Sequence, residues 1–284
     1  MENETQTEDI YAETAKRAEE SLRKKFHKKL FSRFTKAIVE YELIQPNDKI
    51  AVCISGGKDS FVMAKLFQEL KRHNKIPFEL VFLGMDPGYN AVNRKTIEEN
   101  AKLLDIPLTI FETDIFESVF TMEKSPCYIC ARMRRGHLYH RAQDLGCNKI
   151  ALGHHYDDVI ETILMGMLYG GQMQTMMPKL KSANFEGMEL IRPMYLIREE
   201  HIKAWRDYNN LHFIQCACKF TENGAANPED AGKRLKVKNL IRQLEKEDPG
   251  IEQNIFRSVE NVSLKTVIAY KDKDGVKHRF TDEY

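Results

Sequence analysis

Three clusters in the 284-residue chain carry side chains able to do chemistry. The first is Ser55-Gly56-Gly57-Lys58-Asp59-Ser60. Paired glycines permit a tight turn that brings backbone N–H groups close to an oxyanion. Ser55 and Ser60 add hydroxyl donors, and Lys58 adds a mobile positive charge suited to phosphate. Asp59 would repel phosphate directly, which points to a cation such as Mg2+ between them. Neither the GxGxxG dinucleotide fingerprint nor the GxxxxGK(S/T) loop is present. The second cluster is Gly153-His154-His155-Tyr156-Asp157-Asp158. Gly153 permits a turn, while Asp158 and Thr162 lie four apart on one helical face. Either aspartate could approach a cation, Asp157 equally suits a helix cap, and the four polar groups together also fit zinc.

The third cluster draws on six cysteines. Cys127 and Cys130 form a CxxC, a spacing shared by thiol redox, zinc and iron–sulfur sites. Cys216 and Cys218 form a CAC that could complete a zinc site. In an extended segment both would face the same way, so spacing does not separate them. Cys53 stands among Ala, Val and Ile and Cys147 ends a helix before a strand, and both read as small buried hydrophobes.

The elements that must position these groups alternate between two periods. Leu22, Phe26, Leu30, Phe34 and Ile38 recur four apart, predicting one amphipathic helix from about 16 to 41 after a frayed start. Short apolar runs at 49–54, 77–85, 107–113 and 148–153 read as strands. Helices are expected at 61–73, 91–104, 136–146 and 157–170, with the CxxC in the loop before the third of these. The first cluster then follows a strand and opens a helix, where free N–H groups favour an anion. The result is an α/β fold: an open parallel sheet with helices on both faces and right-handed crossovers. Beyond 170 a Met-rich loop, a short strand pair turning near Asn184 and an extended 191–197 are expected. A helix over 198–210 and an extended 212–220 follow. After a linker at 224–231 come helices at 235–250 and 251–262 and a hairpin turned at Asp274-Gly275.

The strand followed by SGGKDS resembles the PP-loop of the ATP pyrophosphatases, which split ATP between its α and β phosphates and adenylate an acceptor. Within that group, LRKKFHKKLFSRFTKAIVEYELIQPNDKIAVCISGGKDS, CYICARMRRGHLYHRAQDLGCNKIALGHHYDDVIETILMGMLYGG and IRPMYLIREEHI resemble the TtcA-type tRNA 2-thiocytidine synthetases over about residues 20–220. The resemblance implies an adenine nucleotide alpha hydrolase-like sheet and ATP-dependent replacement of oxygen by sulfur at C2 of a tRNA pyrimidine, cytidine above all. It implies ATP, Mg2+ and a [4Fe-4S] cluster held by Cys127, Cys130 and one distal cysteine, best matched by Cys216. The distal segment reads QCAC where the family has PCxxCG, so Cys218 stays a candidate. Ser55, Gly56, Gly57, Lys58, Asp59, Ser60, Gly153 and His154 would bind nucleotide, with Asp86 near its adenine or ribose or merely in a turn. Lys58, Asp59 and Asp158 would serve catalysis beside the cysteines. A desulfurase, a 2-thiouridine synthetase and a non-catalytic RNA-binding protein are the competing readings.

Composition agrees with a water-soluble protein: 42% hydrophobic, 30% charged, formal net charge +1. No apolar run approaches the roughly 18 residues of a membrane span, and the acidic start resembles no targeting segment. A cytoplasmic chain without membrane contact is expected. Basic residues concentrate at Arg23, Lys24, Lys25, Lys28, Lys29, Arg33 and Lys36, and again at Arg132, Arg134, Arg135 and Arg141. Such patches suit a polyanion like tRNA. A cysteine desulfurase or inorganic sulfide would donate sulfur. The expected organisation is an N-terminal helical region (1–48), a nucleotide domain with the iron–sulfur site (49–222) and an extension (223–284) for homodimer contacts or RNA selection.

Overall fold

Ile50, Val52 and Ile54 are buried against one set of helices, and the alternate residues Ala51 and Cys53 against another. A strand buried on both faces belongs at the centre of a sheet, and β1 (Asp48–Ile54) lies there. The computed structural model describes residues 2–73, 76–116, 126–214 and 228–283. Its six-stranded sheet adds β2 (Phe78–Asp86), β3 (Leu108–Glu112), β4 (Lys149–Ala151), β5 (Lys179–Lys181) and β6 (Glu189–Ile191) in the order β3-β2-β1-β4-β6-β5. All neighbours are parallel except β5, which runs antiparallel to β6.

Helices α3 (Lys58–His73) and α4 (Ala91–Leu103) pack on the Ile50 face, and α5 (Pro126–Asp144) on the Ala51 face. Right-handed crossovers explain this. The chain steps from β1 outward to β3 with helices on one face, then returns past β1 to β4 with its helix on the other. The strand order reverses between β1 and β4, and the loops leaving their C-terminal ends part to form a crevice. Further helices among the described residues are α6 (Tyr156–Gly170), α7 (Glu199–Tyr208), α8 (Pro228–Glu247) and α9 (Ile251–Ser258). The chain divides into two compact units, Met1–Val159 with Met177–Lys233 and Ile160–Met176 with Arg234–Tyr284. The second holds the hairpin β7 (Ala269–Lys271) and β8 (Lys277–Arg279), where Asp272 Oδ1 accepts N–H bonds from Asp274 and Val276. Among the described residues, no helix is long and apolar enough to cross a membrane.

Four elements differ from the sequence reading. The single N-terminal helix is α1 (Glu2–Arg23), a π turn (His27–Phe31) and α2 (Ser32–Glu40), with no frayed start. A strict four-residue repeat overshoots a 3.6-residue turn by about 40° each step. An unbroken helix would spread Leu22, Phe26, Leu30 and Phe34 over about 120° of its surface. The wider π turn corrects the phase, and all four are buried. Helix α5 begins at Pro126, ten residues before the expected start, so the CxxC lies on its first turns. Proline suits a first helical position, and Gly136 is carried in the helix interior rather than starting it. Helix α8 likewise begins at a proline, inside the expected linker. The stretch after Ile191 is a turn over 193–196, not extended chain.

A buried ionic network ties α1 to α3. Lys65, with 0% exposure, donates to Glu19 Oε1 at 2.7 Å and to the Leu104 carbonyl at 2.8 Å. Arg72 Nη2 donates to the same Glu19 oxygen at 2.9 Å. Burial pushes the Lys65 ammonium below its usual range. Burial alone would raise Glu19, but hydrogen bonds from Arg72 and Lys65 outweigh it and hold the carboxyl low. Removing the carboxylate strands a buried cation. Glu19→Ala is therefore expected to lose about 3 kcal/mol in urea unfolding, whereas a loss below about 0.5 kcal/mol would mark the pair as surface-like.

Candidate functional site

The chain leaves β1 at Ser55 and turns through Gly56, whose φ of 88° lies in the left-handed region. A Cβ there would also stand 2.8 Å from Ile97 Cγ1 and strike Ile214 Cδ1. The turn closes on Ser60 Oγ, which accepts the Ser55 N–H at 3.2 Å and donates to the Gly57 carbonyl at 2.9 Å. α3 starts at Lys58, so its first turn faces the crevice with free N–H groups. Gly153, in the loop after β4, sits on that turn. A Cβ at Gly153 would come within 3.3 Å of Asp59 C and Ser60 N.

Charges crowd this junction. Lys58 Nζ lies 3.1 Å from Asp59 Oδ2 and 3.2 Å from Glu199 Oε1. Burial by itself would lower the Lys58 ammonium, but Asp59 and Glu199 outweigh it and keep it above the ordinary range. His155, 5% exposed, places Nδ1 3.5 Å from Asp158 Oδ2 and Nε2 3.9 Å from Asp59 Oδ1. Asp59 Oδ1 and His155 Nδ1 are both buried without a hydrogen-bond partner. Buried polar atoms are ordinarily satisfied, so an unsatisfied pair at a crevice suits a ligand.

The two aspartates part company. Asp157 Oδ2 accepts the Glu199 N–H at 2.7 Å, and Asp157 Oδ1 lies 3.3 Å from Arg198 Nη2. It holds the start of α7. Asp158 accepts the His155 N–H at 3.0 Å and lines the cavity. Asp86, at the end of β2, spends Oδ1 on the Gly88 and Tyr89 N–H groups and Oδ2 on Arg94 at 2.7 Å. Burial would raise its carboxyl, yet these bonds hold it low. It shapes the turn carrying Tyr89, whose hydroxyl reaches the Ser55 carbonyl at 3.5 Å and accepts from Arg134 Nη2 at 3.3 Å.

A cavity of about 560 Å³ opens among these loops. Ser55, Asp59, Ser60, Gly153, His154 and Asp158 line one side. Met85 and α5 line the other, with Cys130, Arg134 and Arg135. The cavity thus brings together a phosphate-type loop, carboxylates and a thiol. Gly56, Gly57 and Lys58 are in the loop itself, and Gly57, Lys58 and Asp59 face a second cavity of about 580 Å³ with Lys203, Arg206 and His212. Cys127 is in the first turn of α5. Cys216 and Cys218 fall outside the described residues; Ile214, two positions earlier, packs on Gly56. Cys53 and Cys147 are buried. Burial pushes the Cys53 thiol up to about 12, although it too borders the cavity. Among the described residues no group of three or more His, Cys, Asp or Glu side chains could hold a metal ion, so the zinc alternative at 154–158 is not supported.

Sequence reasoning missed Arg192, Glu199 and Tyr89. Arg192 follows β6, is 6% exposed and donates from Nε to His154 Nδ1 at 3.3 Å. Burial pulls its guanidinium down to about 10, still protonated at neutral pH. Its one available signal was a lone arginine inside the apolar run LIRPMYLI.

The PP-loop domain family matches residues 23–220. The tRNA-cytidine(32) 2-sulfurtransferase of Paraburkholderia phytofirmans is 34% identical over 272 residues, covering 91% of this chain and 79% of that protein. The protein of the same name from Alcanivorax borkumensis is 34% identical over 244 residues, covering 84% and 82%. Among solved structures, the U34-tRNA thiolase NcsA from Methanococcus maripaludis with its [4Fe-4S] cluster superposes with a TM-score of 0.63 at 24% identity, covering 81% of this chain and 76% of that one. That likeness supports the parallel sheet with helices on both faces. Gly56→Ala should weaken ATP binding at least tenfold by calorimetry, because a left-handed non-glycine residue costs about 1–2 kcal/mol before the clash with Ile97. Unchanged affinity would show that the loop does not carry the nucleotide.

Proposed function

This chain belongs to the PP-loop family of tRNA 2-thiocytidine synthetases, and from that premise we propose that it spends ATP to replace oxygen with sulfur at C2 of a tRNA cytidine. The observation that carries the reading is the single cavity onto which both the phosphate loop and Cys130 open. A pyrimidine C2 carbonyl is a poor electrophile and its oxygen a poor leaving group. Attack of that oxygen on the α-phosphate of ATP releases pyrophosphate and adenylates the base. Sulfur then adds at C2, and AMP departs with the former oxygen.

The residues divide this work by position. Ser55, Gly56, Gly57 and Ser60, with the first turn of α3, hold phosphate through N–H and hydroxyl donors. Lys58 must leave Asp59 and Glu199 to reach phosphate, an exchange of one set of anions for another. Gly153 keeps the second loop against the phosphate turn, and His154 faces the nucleotide. Asp86 acts by shaping the Tyr89 turn. The unsatisfied Asp59 Oδ1 fits a Mg2+ ion, with Asp158 on the same cavity wall as a further carboxylate. When bound, the ion neutralises phosphate charge. A [4Fe-4S] cluster would be held by Cys127, Cys130 and Cys216, and Cys130, buried beside Met85 and Phe116, fits a ligand shielded from water. Three protein ligands leave one iron of such a cluster to supply sulfur chemistry. Lys24, Lys25, Lys28, Lys29, Arg33 and Lys36 are exposed on the face opposite the buried seam and suit tRNA phosphates. Residues 49–222 form the nucleotide domain in this reading. The extension from 223 serves homodimer contacts, sulfide or a cysteine desulfurase donates sulfur, and the protein works in the cytoplasm.

Anaerobic protein given tRNA, ATP, Mg2+ and sulfide should form 2-thiocytidine by nucleoside mass spectrometry, with AMP released in step. New 2-thiouridine would reassign the base, and loss of existing thiolation would reverse the direction. Cys130→Ser should bleach the brown chromophore and abolish sulfur transfer while the chain keeps its fold by circular dichroism. Lys58→Ala should cut kcat by about a hundredfold and leave the chromophore intact.

A further inference from the structure

Arg192 is fixed at three points. Its backbone N–H donates to the Pro178 carbonyl at 2.9 Å, Nη1 donates to the Met177 carbonyl, and Nε donates to His154 Nδ1 at 3.3 Å. The first two bonds suffice to anchor the 177–178 segment. The third reaches into the cavity wall, since His154 lines the same space as Ser55, Asp59 and Asp158.

That third bond dictates a proton's position. Guanidinium Nε always carries hydrogen and has no lone pair to accept with. The nitrogen facing it must therefore offer a lone pair, so Nδ1 of His154 is unprotonated. In a neutral imidazole the remaining proton is then on Nε2. Protonating Nδ1 would set two donors against each other and place a second cation beside a buried guanidinium. A lysine could supply positive charge here but not this directed planar contact.

We propose that Arg192 is a positioning residue that locks His154 as an Nε2–H donor to a phosphoryl oxygen of the bound nucleotide. This deepens the reading of the same site and rests on it. His154 then works by hydrogen bonding to charge on the phosphoryl group, not by taking a proton from the base. A donor held by a buried partner pays no reorganisation when that charge develops. The 177–178 segment, through Arg192, thereby reaches a side chain at the nucleotide.

Histidine nitrogens can be read directly. In the full chain labelled with 15N-histidine and handled anaerobically, long-range 1H–15N spectra should show His154 with Nε2 protonated and Nδ1 bare, the signals being assigned by their loss in His154→Gln. AMP should shift the Nε2 signal and adenosine should not. Arg192→Met should move the Nδ1 signal toward the tautomer average and lower kcat for AMP release about tenfold, with a far smaller change in KM for ATP. A wild-type ring protonated at Nδ1 would overturn the proposal, and that measurement needs no variant to fold. Equal responses to AMP and adenosine would overturn it as well, as would a His154 signal indifferent to Arg192→Met. If AMP shifts Nε2 but no thiolated nucleoside ever forms, the sulfur-transfer reading fails while the phosphoryl donor stands.

Discussion

At Gly153 a loop and a helix terminus meet with little room for a side chain. The backbone of Asp59 and Ser60 lies so close that a Cβ would press on it at 3.3 Å. Everything at the site depends on that approach, because it clamps together the two loops that the reversal of strand order would otherwise leave apart. β1 delivers the phosphate turn from one side of the switch point and β4 delivers the His-Asp loop from the other. Parallel strands ending at the same edge bring the loops to one level, and Gly153 lets them touch.

The electrostatics follow from this closeness. Lys58, Asp59, Glu199, His155 and Asp158 are drawn into a small, partly buried volume, where charges interact more strongly than in water. The lysine is satisfied by two carboxylates, while one buried oxygen of Asp59 and one buried nitrogen of His155 make no hydrogen bond. The site therefore holds more carboxylate than ammonium and is unfinished in hydrogen bonding, a condition that a divalent cation arriving with phosphate would complete. Asp157, one residue from Asp158, has its oxygens engaged with Arg198 and the Glu199 N–H and approaches His155 Nδ1 only at 3.8 Å.

The N-terminal helices obey a different constraint. Their basic residues can face outward only if the apolar seam stays in register with the core. The π turn and the Glu19–Lys65–Arg72 network enforce that register on opposite sides of residue 23. A surface suited to polyanions is thus held by buried contacts remote from the charges it displays.

Local chemistry made the sheet, the phosphate turn and the CxxC legible in the amino-acid order alone. Each announces itself within a few residues: apolar runs of strand length, paired glycines before a helix, cysteines at fixed spacing. Gly136 misled because a glycine signals a boundary locally while packing decides whether one forms, and the apolar run 191–197 read as extended where the chain turns over 193–196. The four-residue repeat in 22–38 likewise marked the buried side chains but not the π turn, which exists only because that seam must meet a core. Whether Asp157 or Asp158 faces the cavity could not be read from two adjacent identical residues; the position of α7 decided it. Arg192 entered the site from a segment some forty positions beyond His154, by the pairing of β4 with β6. Residue type and spacing thus determined which chemistry was available, and tertiary contact decided which atoms are held where that chemistry can occur, because hydrogen bonds and charges act across space and not along the chain.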